Sequence, residues 1–287
     1  MARNETKTDQ LTASPGTVLH ATIDVARRVE RAEIGFCALA GATHGRVESL
    51  DAGGGRALFT RAGSPLNKVL GVGLDGPVTD AHLDSIEAFY QARNAPAQIE
   101  VCPLAYGDLT ARLCRRGYIL EAFENELGML VGPGGGPRFT GAVSVIKATP
   151  DQDQLWTRIV SEGFVAFEPL VGGAPEAAPP TTEQMIEMMS QFEHPNIRRY
   201  VAWVEGEPAG GGAAWAHEGV LGIFGTSTLA RFRRRGVQAA ITIRAMQDAE
   251  GEIDLAIATT APGSTSQRTF ERLGFRVLYT RAVFVKS

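Results

Sequence analysis

The chain has 287 residues, 44% of them hydrophobic, enough for a substantial core and for two domains, and its formal net charge of −4 argues against a nucleic-acid partner, whose footprint is a basic surplus. Three cysteines, Cys37, Cys102 and Cys114, fit neither a disulfide framework nor a metal spacing, and the five histidines show no paired metal spacing. No apolar run approaches the roughly 18 residues of a membrane span, and residues 1–10 are polar where a signal peptide would be apolar, so a cytoplasmic protein with no membrane partner is expected.

Residues 1–15 read as a disordered arm. The first half, residues 16–132, then gives a strand over 67–74, a helix over 82–93 with Ile86 and Phe89 inward, and a strand over 97–102. A helix over 109–117 closes in Gly117, and a strand opens at Tyr118. Cys102 and Cys114 lie in apolar surroundings and are expected as small buried thiols. The run from Gly132 to Pro137 is too rich in Gly and Pro for helix or strand, and residues 133–140 read as a linker.

The second half, residues 141–287, opens with a helix over 152–162, a Gly/Ala/Pro loop over 172–182 and a helix over 183–192. Strands over 199–204 and 209–216 flank a turn of Glu205, Gly206, Glu207 and Pro208, and His217, Glu218 and Gly219 make the next turn. Residues 219–229 form an apolar, β-branched strand bounded by glycine. A basic stretch with Arg231, Arg233, Arg234, Arg235 and Gly236 leads into a helix reaching to Glu250, with Ala239, Ile243 and Met246 at helical spacing. A strand over 253–260 follows. A short helix then starts at Ser264, its plausible N-cap, and is closed by Gly274, and Phe275 opens a final strand pair.

A glycine-rich turn between strand and helix suits a pyrophosphate. The helix start exposes unpaired N–H groups and partial positive charge, Gly236 permits close backbone approach, and arginines add charge. The pattern Arg-x-x-Gly-x-Gln, as Arg233, Gly236 and Gln238, resembles the acyl-CoA pyrophosphate loop of the GNAT superfamily of N-acetyltransferases. Its usual ending, an aromatic, two residues, then Leu-Gly-Phe, is matched by Phe270, Leu273, Gly274 and Phe275. The resemblance covers roughly residues 141–287. It implies an α+β, three-layer αβα fold with a mixed, mostly antiparallel sheet and flanking helices.

The first half repeats the later cadence: Arg115, Arg116, Gly117 and Tyr118 stand as Arg272, Leu273, Gly274 and Phe275 do. Two such lobes in tandem are therefore expected, with a cleft for the acceptor between their adjacent sheets. In place of the basic loop the first half has Asp75 and Pro77, which remove positive charge and one donor, so this degenerate copy is expected to hold no cofactor.

The resemblance further implies acetyl-CoA as co-substrate, its pantetheine arm pairing with the fourth strand of the fold along Thr226, Ser227 and Thr228. Its pyrophosphate would lie on Arg233, Arg234, Arg235, Gly236, Val237, Gln238 and Ala239. Ser264, Ser266 and Gln267 would lie near the thiol end, with Phe270 as an apolar wall where relatives place an acidic Tyr. The strand over 220–229 carries no carboxylate to act as base. Glu168, His194, Glu100 and Glu124 stay open for that role, His217 and Glu218 read as solvated turn residues, and no catalytic residue is assigned. The leading expectation is transfer of acetyl from acetyl-CoA to a primary amine of a small molecule, by a monomer or homodimer. The alternative is a non-catalytic acyl-CoA sensor.

Overall fold

The computed structural model describes residues 19–132, 136–166 and 181–287. The expected arm over 1–15, most of the loop over 172–182, part of the linker and Glu168 lie outside the described residues.

In the first half, α1 (Ile23–Gly41) precedes β1 (Glu48–Ala52), β2 (Gly55–Phe59), β3 (Val69–Leu70), α2 (Asp80–Gln91), β4 (Ala97–Val101), α3 (Leu109–Arg115) and β5 (Ile119–Leu130). The second half runs β6 (Val143–Lys147), α4 (Asp153–Val165), α5 (Thr182–Met189), β7 (Arg198–Val204), β8 (Glu207–His217) and β9 (Val220–Thr228). It ends with α6 (Val237–Gln247), β10 (Leu255–Thr260), α7 (Thr265–Arg272) and β11 (Arg276–Lys286). Helix α1, not anticipated from the sequence, is capped by Thr22, whose side chain accepts from the Val25 N–H at 3.3 Å. Its Val25, Val29, Ala32, Phe36 and Ala40 recur every three or four residues and are buried.

All eleven strands of the described residues join one sheet in the order β1-β2-β3-β4-β11-β5-β10-β9-β8-β7-β6. Most pairs are antiparallel; β3 with β4 and β10 with β9 are parallel. Helices cover both faces. At consecutive residues of β8, a side chain on Gly211 would strike Trp156 and Val160 of α4, and one on Gly212 would strike Ile241 of α6. Since strand residues alternate faces, α4 and α6 lie on opposite sides. Trp156, wholly buried, donates its indole N–H to the Gly212 carbonyl at 3.0 Å and locks α4 to the sheet.

The two halves are interleaved. Strand β11 pairs with β4 and β5, both of the first half, and β5 pairs with β10 and β11, both of the second. The final strand of each half thus sits inside the sheet of the other. Instead of a cleft between two adjacent sheets there is one continuous sheet, because a strand inserted from each side leaves no free edge between the halves. The expected final strand pair is likewise a single strand, β11, whose partners come from the first half.

Three other expectations are corrected. The strand over 67–74 shrinks to β3, since Gly71 and Gly73 take left-handed φ values of 72° and 82° that end the extended run. Phe89 is only half-buried; Leu83, Ile86 and Tyr90 form the inner face of α2. Cys114 is exposed on α3, whereas Cys37 and Cys102 are buried, with burial pushing both thiols up to about 12. Neither is a ready nucleophile.

Candidate active site

The site starts where β9 and β10 part. They pair only over Val220↔Leu255, Leu221↔Ala256 and Gly222↔Ile257, although β9 continues to Thr228 and β10 to Thr260. The cause is a bulge in β9. Its register against β8 slips between Gly211↔Ser227 and Ala213↔Phe224, and Gly225 takes a left-handed φ of 58°. Beyond Gly222 the β10-facing edge of β9 is unpaired by β10, which leaves room for an extended ligand.

The fork points at the start of α6. Gly236, at the N-cap position, has φ 82° and no side chain, so no side-chain cap bond covers the first N–H groups of the helix. Arg234 also holds a left-handed φ of 64°, uncommon for a residue with a side chain. A loop alternating in this way turns successive N–H groups toward one side and suits an anion. By contrast, α7 is capped, Ser264 accepting from the Gln267 N–H at 3.1 Å.

Loop and fork open into one cavity of about 1750 Å³, larger than the roughly 300–1000 Å³ of a single small-molecule site and able to hold two reactants. Thr226, Ser227, Thr228, Arg233, Arg234, Gly236, Val237, Gln238, Ala239, Ser264, Ser266 and Phe270 all line it. Several of these side chains already have partners: the Ser227 hydroxyl donates to the Val160 carbonyl at 3.0 Å, and Gln238 donates to the Ser266 hydroxyl at 2.7 Å. Arg233 reaches the Ala166 carbonyl at 2.5 Å. Phe270 packs edge-on against Phe275 with centroids 5.0 Å apart. Two expected residues are not brought into the cavity lining. Arg235 pairs with Glu205 at 2.7 Å. Gln267 accepts from the Gly263 N–H and donates to Glu271 at 2.8 Å, which holds the α7 turn.

The far end of the cavity comes from residues the motif did not reach. Glu33, Phe36, Lys68 and Glu124 of the first half meet Trp215 and Phe224 of the second there. Behind them lies a buried charge cluster centred on Arg281, which pairs with Glu30 at 2.8 Å, Glu126 at 3.0 Å, Glu100 at 3.4 Å and also Glu33. Lys68 joins Glu100 at 2.9 Å and Glu33 at 3.3 Å. Burial opposes charge on Arg281, but Glu126, Glu30 and Glu33 outweigh it and hold its pKa well above the usual value. Burial, despite Arg281, pushes the Glu126 carboxyl up to about 8. Burial and then the Glu100 charge raise Glu124 to about 7, against the pull of Lys68.

Of the open base candidates among the described residues, Glu124 alone lines the cavity. Glu100 is buried in the charge cluster, and the His194 ring accepts from the Asn196 N–H in the turn before β7. His217 ends β8, partly exposed and stacked on Trp215 with centroids 4.7 Å apart, and Glu218 is an exposed turn residue. The sequence signal for Glu124 was its setting: the run Glu124, Asn125, Glu126 places polar residues inside a twelve-residue strand. No group of His, Cys, Asp or Glu among the described residues could hold a metal. No helix among them is long and apolar enough to cross a membrane.

A sequence profile of the Acetyltransferase (GNAT) family matches residues 165–275. No curated protein matches the chain. A GCN5-related N-acetyltransferase from Kribbella flavida superposes with a TM-score of 0.66 at 21% identity, covering 91% of this chain and 95% of that one. A GCN5-related N-acetyltransferase from Sphaerobacter thermophilus reaches 0.55 at 13% identity, over 84% of this chain and 75% of the other. A tandem GNAT protein from the clavulanic acid biosynthesis pathway reaches 0.53 at 14%, over 85% and 80%. At these identities the likeness is one of fold. The matched segment carries β7 to β10 with the loop and α6, so residues 165–275 are similar to the GNAT family of acetyltransferases. The first half is GNAT-like by fold.

Proposed function

We propose that the protein transfers acetyl from acetyl-CoA to a primary amine of a small molecule, both reactants being held together in the cavity of the second half. The observation that carries this is the strand fork opening onto an uncapped helix start within one cavity. The residues fit the cofactor. The N–H groups of Arg234 to Ala239, with Arg233 and Arg234 as charges, would bind the pyrophosphate, and the free edge of β9 at Thr226 to Thr228 would bind the pantetheine amides. Bound there, acetyl-CoA supplies the activated thioester. Phe270 and Ser264 would shape the wall beside it; Phe270 cannot donate a proton, so the thiolate would leave with help from water or a backbone donor.

Residues 16–132 and 141–287 serve in this reading as two GNAT-like units, the first without cofactor. The size of the cavity and its enclosure by both halves support a compact acceptor over an extended peptide. A second reading, an acyl-CoA sensor without turnover, draws on Phe270 and on the absence of a carboxylate from the strand over 220–229. Calorimetric titration with acetyl-CoA, followed by release of free thiol with a panel of primary amines, tests the function. Micromolar binding and amine-dependent thiol release are expected; binding with no thiol release from any amine would favour the sensor, and absence of binding would refute both.

A further inference from the structure

The far end of the cavity contains a polar atom that the protein itself leaves unanswered. The Oε2 atom of Glu124 is buried with no hydrogen-bond partner among the described residues. A buried polar atom without a partner is costly unless a ligand or water meets it. This one accepts hydrogen bonds and carries negative charge when ionised. A primary ammonium is the complement, with three donors and no acceptor.

The walls match the rest of such a molecule. Phe36 and Phe224 stand with ring centroids 3.6 Å apart, and half-buried Trp215 lies beside them in the lining. Aromatic faces bury an apolar body and favour a cation nearby. Glu33 lines the same end as Glu124, while the cations there, Lys68 and Arg281, are already bound to Glu33 and Glu100. A carboxylate on a ligand at this end would therefore face Glu33 and Glu124, and the two described cations beside them are already paired.

Resting on the acetyl-transfer reading of this cavity, we propose that its far end is the acceptor subsite for a small primary amine with an apolar or aromatic body and no carboxylate, and that Glu124 is the base that takes the ammonium proton. Glu124 removes one proton from the ammonium. The amine lone pair attacks the thioester carbonyl carbon; the C–N bond forms and the C–S bond breaks with its electron pair on sulfur. The nitrogen sheds a second proton as the amide forms, the thiolate gains one from water, and Glu124 returns its proton to solvent. One ammonium and one thioester give one amide, one thiol and one released proton.

The setting of Glu124 suits that task. Burial, with the charges of Glu100 on β4 and Glu33 on α1, raises its pKa to about 7 against the pull of Lys68 and of Arg281 on β11. A base with a pKa near the working pH is close to the optimum for proton transfer. Strand β5, which carries Glu124, belongs to the first half by chain order yet lies between β10 and β11 of the second. The interleaving is thus what delivers the base to the cofactor.

The test uses the full chain, acetyl-CoA, and phenethylamine against phenylalanine, which differ by one carboxylate. Phenethylamine should be acetylated at least tenfold better by kcat/KM. Glu124→Gln, nearly isosteric, should bind acetyl-CoA as the wild type does, lower kcat by about 10²–10⁴ at pH 7, and lose the rise of rate through pH 7. Preference for phenylalanine, no transfer to phenethylamine despite acetyl-CoA binding, or a Glu124→Gln rate within twofold of wild type would overturn the proposal. If Glu124→Gln does not fold, the wild-type kcat profile decides: an ascending limb centred near pH 7 upholds the base, and a flat profile removes it. Failure of the wild type to bind acetyl-CoA would instead overturn the acetyl-transfer reading, and this subsite with it.

Discussion

Gly236 combines the two demands of the loop, a left-handed backbone and an N-cap that leaves its helix uncapped. A Cβ there would sit 3.1 Å from the Phe139 ring and would carry an unfavourable φ. Gly236→Asp adds a negative charge beside the expected pyrophosphate and supplies a carboxylate that can cap α6 itself. Acetyl-CoA affinity should fall at least tenfold by calorimetry, with the fold checked by circular dichroism. Gly236→Ala, neutral and unable to cap, should weaken it less. Equal affinity in a folded Gly236→Asp protein would remove the loop from the cofactor site. The motif containing Gly236 is local, so it was legible in the sequence. Glu124 was legible only as a candidate, since its place in the cavity depends on β5 crossing into the other half.

At the scale of elements, β11 does more than close the sheet. It carries Arg281, fully buried, into a nest of Glu30, Glu33, Glu100 and Glu126, so one strand ties α1, β4 and β5 together through charge. Tyr279 on the same strand donates to Glu30 at 2.9 Å. Such a cluster is not in itself strong evidence of stability, but removing its cation leaves buried carboxylates uncompensated. Arg281→Met should cost about 3–5 kcal/mol in denaturant-induced unfolding. A loss below about 1 kcal/mol would mean that the carboxylates simply take up protons and the arginine is dispensable. Helices and hairpins were largely readable from caps, glycine turns and apolar spacing, because those signals act over a few residues. The short β3 was misread because the apolar run continues past Leu70 while Gly71 and Gly73 turn the backbone away.

For the whole molecule, the two halves differ most where the second holds its loop. In the first half the chain after β3 folds back on itself: Gly73 donates to the Gly53 carbonyl at 2.8 Å, and Tyr106 donates to the Gly73 carbonyl at 2.7 Å. Arg27 on α1 binds Asp75 at 2.8 Å and the Leu74 carbonyl at 2.8 Å. The helix that follows, α2, is closed by a capping box in which Thr79 and His82 take each other's N–H groups. With its donors occupied and an acidic residue in place, this half offers a pyrophosphate little. Titration should give one acetyl-CoA per chain, and two equivalent sites would refute the argument. Asp75 and Pro77 pointed the same way from sequence; Arg27 and the capping box add the reason.

The sequence by itself determined the order of most elements, the basic glycine loop, the apolar wall at Phe270 and the loss of that loop in the first half. Each depends on residue types at short spacing, where propensity, capping and turn chemistry act directly. The tertiary structure alone decided that the halves share one sheet and exchange their last strands. It also brought Glu33, Phe36, Lys68 and Glu124 to the far end of the second half's cavity. Strand pairing between Arg281 and Glu124, 157 positions apart by their numbering (281 − 124), leaves no trace at short spacing. It is set by which edges remain open once every local element has formed, because buried backbone groups must find partners wherever the fold supplies them.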